Sequence, residues 1–234
     1  MAQKDWLRNK VKIHIRDVNI ENSELDDIID TVLTEIALET RIFKKLYGFT
    51  VHEDIDRYNF MYIARMNEQV EEEPTNITIE EPPLEEIIDF IENGNFPDIA
   101  VDKNLEIEPY QSQFFDLMDI YDENGDSVLS KFEERGSSYY FVYDEAWRKI
   151  NDQKRFVFSA WIKPDVNELH DEQLSMILHT VIAGCKFYIN DTLHSPDDTQ
   201  ATNYDFMRWF QGKEQLMNKF PTTVYSTKEN YKWI

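Results

Sequence analysis

The residues that come nearest to a recognisable chemistry lie in the segment DIYDENGDSVLSKFEE, where Asp122, Asn124 and Asp126 surround Gly125. Oxygen-bearing side chains around a glycine suggest a helix–loop–helix calcium site. Such a loop takes Asp at its first position, Gly at the sixth and a bidentate Glu at the twelfth. With Gly125 as the sixth, the first falls on Ile120 and the twelfth on Lys131. An isoleucine and a lysine cannot bind the cation, so the segment reads as a hairpin turn. The histidines His14, His52, His170, His179 and His194 show no zinc spacing, and His170 and His179 lack an evident third ligand. Cys185 falls on the apolar face of a helical pattern, where a thiol is buried and inert rather than a nucleophile. Acid pairs such as Glu85 and Glu86 have the right groups for acid–base chemistry, but in so acidic a run they read as solvated. Phosphate-binding, dinucleotide and nucleophile-elbow signatures are all missing. The expectation is no catalytic residue, no metal and no cofactor, hence not an enzyme. The enzymatic alternative is a carboxylate-based hydrolase assembled from scattered acids.

These residues belong to a chain of 234 residues with 41% hydrophobic and 14% aromatic content, enough apolar material for a substantial core. The net charge of -22 disfavours binding to the outside of a nucleic acid or to an anionic membrane. It is compatible with surrounding DNA without gripping it, because an acidic wall repels phosphates. The charge is uneven. Residues 1–16 carry five Lys/Arg and one acid, residues 71–108 thirteen acids and one Lys, and residues 208–234 five Lys/Arg and two acids. Basic ends and an acidic middle allow end-to-middle contacts between subunits, although a solvated acidic insertion between ordinary termini accounts for the same pattern. A single cysteine allows no intrachain disulfide and fits a reducing compartment. The opening residues lack the apolar region of a secretory signal, and no apolar run has membrane-spanning length. A soluble protein made in the cytoplasm is expected.

Residues 11–19 alternate like a short strand. A helix is predicted over 23–47, with Ser23 as N-cap and Asp26 in a capping-box-like position. Leu25, Ile28, Ile29, Val32, Leu33, Ile36, Phe43 and Leu46 form its apolar stripe, and Gly48 follows its end. Residues 49–66 read as extended, packing through Tyr58, Phe60, Tyr62 and Ile63. An acidic loop with a short strand at 76–80 comes next, then an amphipathic helix over 84–92 ended by Asn93-Gly94. Strands are predicted at 114–121, 128–132, 139–143 and 156–162, the last with Phe156, Phe158, Ala160 and Ile162 on one side. Helices follow at 168–193 and 198–220, separated by a turn at 194–198. The last of them would pack through Tyr204, Met207, Phe210, Met217 and Phe220 before Pro221 stops it.

The fold expected is α+β: a helical bundle of three long helices, with a β-rich insertion between the first and second helices and an extended C-terminal tail. The corresponding divisions are 1–66 for the strand, long helix and extended segment, 67–109 for the acidic insertion, and 110–163 for the β-rich portion. Residues 164–220 supply the two helices that complete the bundle, and residues 221–234 form the tail. Tyr225, Tyr231, Trp233 and Ile234 lie beyond the last helix stop. Large apolar side chains there need cover, either from the chain's own core or from a neighbour, where Trp and Tyr make good anchors.

Several stretches resemble the head–tail adaptor (connector) proteins of tailed bacteriophages. The run SELDDIIDTVLTEIALETRIFKKLYGFTVHEDIDRYNF looks like that family's initial helix leading into a β segment. FFDLMDIYDENGDSVLSKFEE resembles its strand–turn–strand. RFVFSAWIKPDVNELHDEQLSMILHTVIAGCKFYINDTL resembles its last strand, proline turn and following helix, and YDFMRWFQGKEQLMNKF its closing helix. The acidic stretch 67–109 has no counterpart in the pattern, and the Asp-, Asn-, Ile- and Tyr-rich usage suits a crAss-like phage. The resemblance implies a structural virion protein at the head–tail junction, assembled in the host cytoplasm. Its subunits would form a homo-oligomeric ring, typically twelvefold, beneath the portal protein and above a downstream tail or neck protein. Double-stranded DNA would pass through without specific binding, and no membrane would be involved. Tyr225, Tyr231, Trp233 and Ile234 become the expected portal contacts. The alternative without an enzyme is another virion assembly or tail-completion interaction protein.

Overall fold

The computed structural model describes residues 3–15, 20–70, 77–79, 81–94, 96, 113–135, 139–193 and 199–220. Among these residues the chain is a mixed α+β protein with seven α-helices and two three-stranded sheets. The helices are α1 (Gln3–His14), α2 (Asn22–Thr40), α3 (Phe60–Val70), α4 (Leu84–Asn93), α5 (Glu145–Ile150), α6 (Asp171–Leu193) and α7 (Thr199–Lys219). The strands are β1 (Lys44–Thr50), β2 (Arg57–Asn59), β3 (Phe114–Tyr121), β4 (Glu133–Glu134), β5 (Tyr139–Phe141) and β6 (Arg155–Ile162). The expected bundle of three long helices is not the fold. What was read as the first long helix is two elements, and a further helix precedes it.

The chain divides into two compact units. The first comprises residues 1–45, 72–81 and 161–220, and in it α6 packs against α1, α2 and α7. α1 replaces the strand expected over 11–19; residues 16–19 lie outside the described residues. Alternation would put Val11, Ile13 and Ile15 on one side. The helix instead buries Leu7, Val11 and Ile15 at a spacing of four and leaves Ile13 exposed. Arg8 fixes α1 to α2 through a two-point ion pair with Asp26, Nε to Oδ1 at 2.6 Å and Nη2 to Oδ2 at 2.7 Å. The guanidinium holds the Asp26 carboxyl below the usual carboxylate range. An acid with a lowered folded pKa stabilises above its unfolded value, and that stabilisation is lost as pH falls through the folded value. Asp26→Asn should therefore cost about 1 kcal/mol at neutral pH. Urea midpoints of variant and parent should converge on acidification; a gap independent of pH would contradict this.

α2 begins at Asn22, with Glu21 rather than Ser23 in the N-cap position and no side-chain cap. It stops at Thr40, not near residue 47, because Arg41 takes the left-handed conformation (φ 51°, ψ 38°) and closes the helix onto Ala37 O. Phe43 and Leu46 keep helical spacing with α2, yet β1 is buried at every position from Lys44 to Phe49, and a strand covered on both faces shows no alternation. Thr78 bridges to Lys44 in place of the strand expected over 76–80, of which residues 76 and 80 lie outside the described residues.

The second unit comprises, among the described residues, those between 46 and 70 and between 82 and 160. The first sheet has the order β1-β6-β3. β6 runs antiparallel to β1: Val51 N–H donates to Lys154 O, and Ile162 N–H to Phe43 O. β6 is buried on both faces from Phe156 to Ile162, not on one side only. The second sheet has the order β2-β5-β4, with Arg57 opposite Phe141 and Glu134 opposite Tyr140. Residues 60–66, expected to be extended, are helical. The alternation of Tyr58, Phe60 and Tyr62 masked the helical set Phe60, Ile63, Ala64 and Asn67, all buried. Asn67 then serves β1: its Oδ1 accepts from Gly48 N–H and its Nδ2 donates to Gly48 O, both at 2.9 Å. α4 and β3 form where expected, whereas α5 occupies part of the β-rich portion. Asp144 accepts a hydrogen bond from Trp147 N–H as the N-cap of α5.

Candidate interaction surface

The calcium-like segment is a turn whose acids serve its own backbone. Gly125 has φ of +77°, a conformation that suits glycine, and Tyr121 bridges to Ser127. Asp122 Oδ1 accepts from Asn124 N–H at 2.9 Å and Asp126 N–H at 3.0 Å, and Asp119 Oδ1 accepts from the Ser127 hydroxyl. The expected return strand is not formed: Leu129–Lys131 is a turn of 3-10 helix. No group of His, Cys, Asp and Glu among the described residues is arranged to hold a metal ion. Cys185 is buried, and burial pushes its thiol up to about 12. Among the described residues no helix is long and apolar enough to cross a membrane.

The expected portal contacts Tyr225, Tyr231, Trp233 and Ile234 lie outside the described residues, as does the turn expected at 194–198. α7, which precedes the tail, departs from expectation in a way that matters. Of the five residues expected to pack inward, only Phe220 is buried. Tyr204 is 59% exposed, Met207 51%, Phe210 44% and Met217 38%, and Phe206 beside them is 46% exposed. The face that packs inward carries Trp209, Lys213 and Leu216.

A polar cluster around the buried Lys213 and Trp209 explains this rotation. Lys213 Nζ lies 2.6 Å from Glu39 Oε2 and 4.5 Å from the centre of the Trp209 ring. The ammonium is thus satisfied by a carboxylate of α2 and by the face of an indole, which lets a lysine occupy an inward position. Trp209 fits only because α6 has Gly184 there: a Cβ on Gly184 would stand 2.9 Å from Trp209 Cε3 and 2.8 Å from Val32 Cγ1. Glu35 accepts a hydrogen bond from the Tyr188 hydroxyl, and burial raises its pKa against the opposing effect of Lys213. The contribution of Glu35 to stability is greatest at acid pH and falls as pH rises through that raised value, opposite in sign to that of Asp26. Asn190 Nδ2 donates to Asp205 Oδ2 at 2.5 Å, joining α6 to α7.

With α7 fixed in this rotation, its aromatic and methionine side chains make an outward stripe. Phe206 packs at 5.5 Å from Phe187 of α6 and 6.5 Å from Phe210, so the stripe is an ordered apolar surface. Arg208 lies over Tyr204 and Lys219 over Phe220, placing cations along its side. An exposed apolar surface of this kind marks an interaction site rather than a reaction centre. The sequence reading found these residues by their spacing but assigned them to the core. No protein-family model matches the chain, and no curated protein matches it.

Proposed function

We propose that this chain is a structural protein of a tailed-bacteriophage virion, a head–tail adaptor that assembles as a ring between the portal protein and a downstream tail or neck protein. The observation that carries the reading is the outward apolar stripe of α7, an assembly surface on a chain of net charge -22. Local structure at the resembling stretches supports it. α2 leads into β1, β3 leads into a polar-Gly turn without the return strand, and β6 passes through Pro164 into α6, with α7 closing the sequence. The three-helix arrangement is not part of the proposal. The ring is twelvefold by resemblance, and its acidic surface lets DNA pass without specific binding. The tail residues Tyr225, Tyr231, Trp233 and Ile234 engage the portal.

Quantitative mass spectrometry of purified virions tests this. A copy number equal to that of the portal is expected, and absence from particles would sink the reading in favour of an assembly factor. Ending the chain after Phe220 should leave heads unjoined to tails. Normal joining would refute the portal role of the tail.

A further inference from the structure

We infer that the α7 stripe is the contact between neighbouring copies of the chain and that it seats on the acidic outer face of α4 in the next copy. The inference rests on the ring reading and names the two surfaces that would build it.

Size comes first. The exposed apolar side chains of α7 offer roughly 500 Å² of surface, at the upper end of what a typical monomer leaves uncovered. A specific interface takes about 800 Å² from each partner, so the stripe supplies its centre and polar neighbours its rim.

Charge selects the occupant. Two copies at -22 repel over most of their surfaces. α1 is basic, but Lys4, Arg8 and Lys12 are engaged with Asp30, Asp26 and Asn22 of α2, and Lys10 lies over Trp6 of its own helix. On α7 the exposed charged residues are Arg208, Glu214 and Lys219, an excess of one positive charge. The stripe therefore combines apolar area with a cationic margin. It complements a surface with an apolar strip beside a line of acids.

α4 has that surface. Leu84 is 53% exposed and Ile88 half-buried, one turn apart. Glu85, Asp89 and Glu92, all exposed, follow at spacings of four and three along one line. That line is about 10 Å long, and Arg208 and Lys219 are about 16 Å apart along α7. The long side chains of Arg and Lys cover the difference. Because two different surfaces meet, the contact is head-to-tail and continues from copy to copy instead of ending at a pair, as the ring reading requires.

Sedimentation velocity of the full-length chain across a concentration series tests this. The parent should associate, and Phe206→Asp with Phe210→Asp should weaken association at least tenfold, about 1.4 kcal/mol. Two further variants should each associate weakly: Arg208→Glu with Lys219→Glu, and Glu85→Lys with Asp89→Lys. Mixing those two should restore association, since an intact α7 then meets an intact α4. Arg208, Lys219, Glu85 and Asp89 are exposed, so thermal melts of the charge variants should match the parent; Phe206→Asp with Phe210→Asp gives up the contact with Phe187, and its circular dichroism spectrum should show the parent's helix content. The inference is overturned if the parent stays monomeric at about 1 mM, if the Asp variants associate like the parent, or if the mixture does not recover. A chain ending at Phe220 that associates where the full chain does not would identify the tail as the occupant, which also overturns it. The two readings fail separately. Portal-equal copy number in virions with association insensitive to these changes removes this inference alone. Absence from virions with the mixing result intact removes the virion reading alone.

Discussion

A chain carrying Phe49→Ala should be less stable by about 3–5 kcal/mol, the range for truncating a fully buried Phe. Phe49 is at the centre of the second unit. Its ring centroid lies 5.3 Å from Phe60, 5.5 Å from Tyr58, 5.8 Å from Phe156, 6.0 Å from Phe158 and 6.2 Å from Phe132. Most of these contacts are edge-to-face, the geometry aromatic quadrupoles favour. Ala removes one ring from several such pairs at once and leaves a cavity bounded by rigid rings that cannot easily close over it. Trp147 reports on the loss, since it packs 5.6 Å from Phe156 and 5.8 Å from Phe132. Denaturant titration followed by near-ultraviolet circular dichroism measures it. A loss under about 1.5 kcal/mol would mean that the cluster repacks and is not the rigid core described.

Trp209→Ala should have an effect of similar size, about 3–5 kcal/mol, expressed in the first unit. The indole is buried against Gly184, faces the Lys213 ammonium and belongs to the cluster that holds Glu35 and Glu39. Its removal leaves a void beside a glycine, where no side chain can fill in, and strips the lysine of its aromatic partner. Hydrogen exchange should show α7 and its partner positions on α6 losing protection first. Unchanged protection of α7 would show that the α6–α7 contact does not depend on Trp209.

Legibility in the sequence followed how unambiguous each period was. α4 and α6 could be placed because Ile87 with Ile91, and Leu174 through Ile189, each keep one period between clear stops; β3, which buries Phe114, Leu117 and Ile120 at every third residue, was placed by the polar-Gly turn that follows it. α1, β1 and α3 were misread for a shared reason. Short apolar runs such as Val11–Ile15, Phe43–Phe49 and Tyr58–Ile63 satisfy a period of two and a period near four equally well, and tertiary burial decides between them. Arg41 carried no signal of a helix stop, because a left-handed arginine is not a residue that sequence reasoning looks for. The interaction surface failed differently. Its residues Tyr204, Met207, Phe210 and Met217 were recognised as a stripe but assigned to the packed side. Only the contact with Glu39 and Trp209 reveals that the lysine points inward and the aromatics outward.

The burial of the chain's single cysteine has a practical consequence. Cys185 packs inside the first unit with its thiol raised far from reactivity, so thiol reagents should not label the folded parent. A second cysteine introduced at the exposed Ile150 of α5, outside the α7 and α4 surfaces, would then be the sole reactive one. One fluorophore per chain follows, without altering the native sequence elsewhere. Stepwise photobleaching of single particles could then count copies directly, giving the stoichiometry of whatever assembly the chain builds.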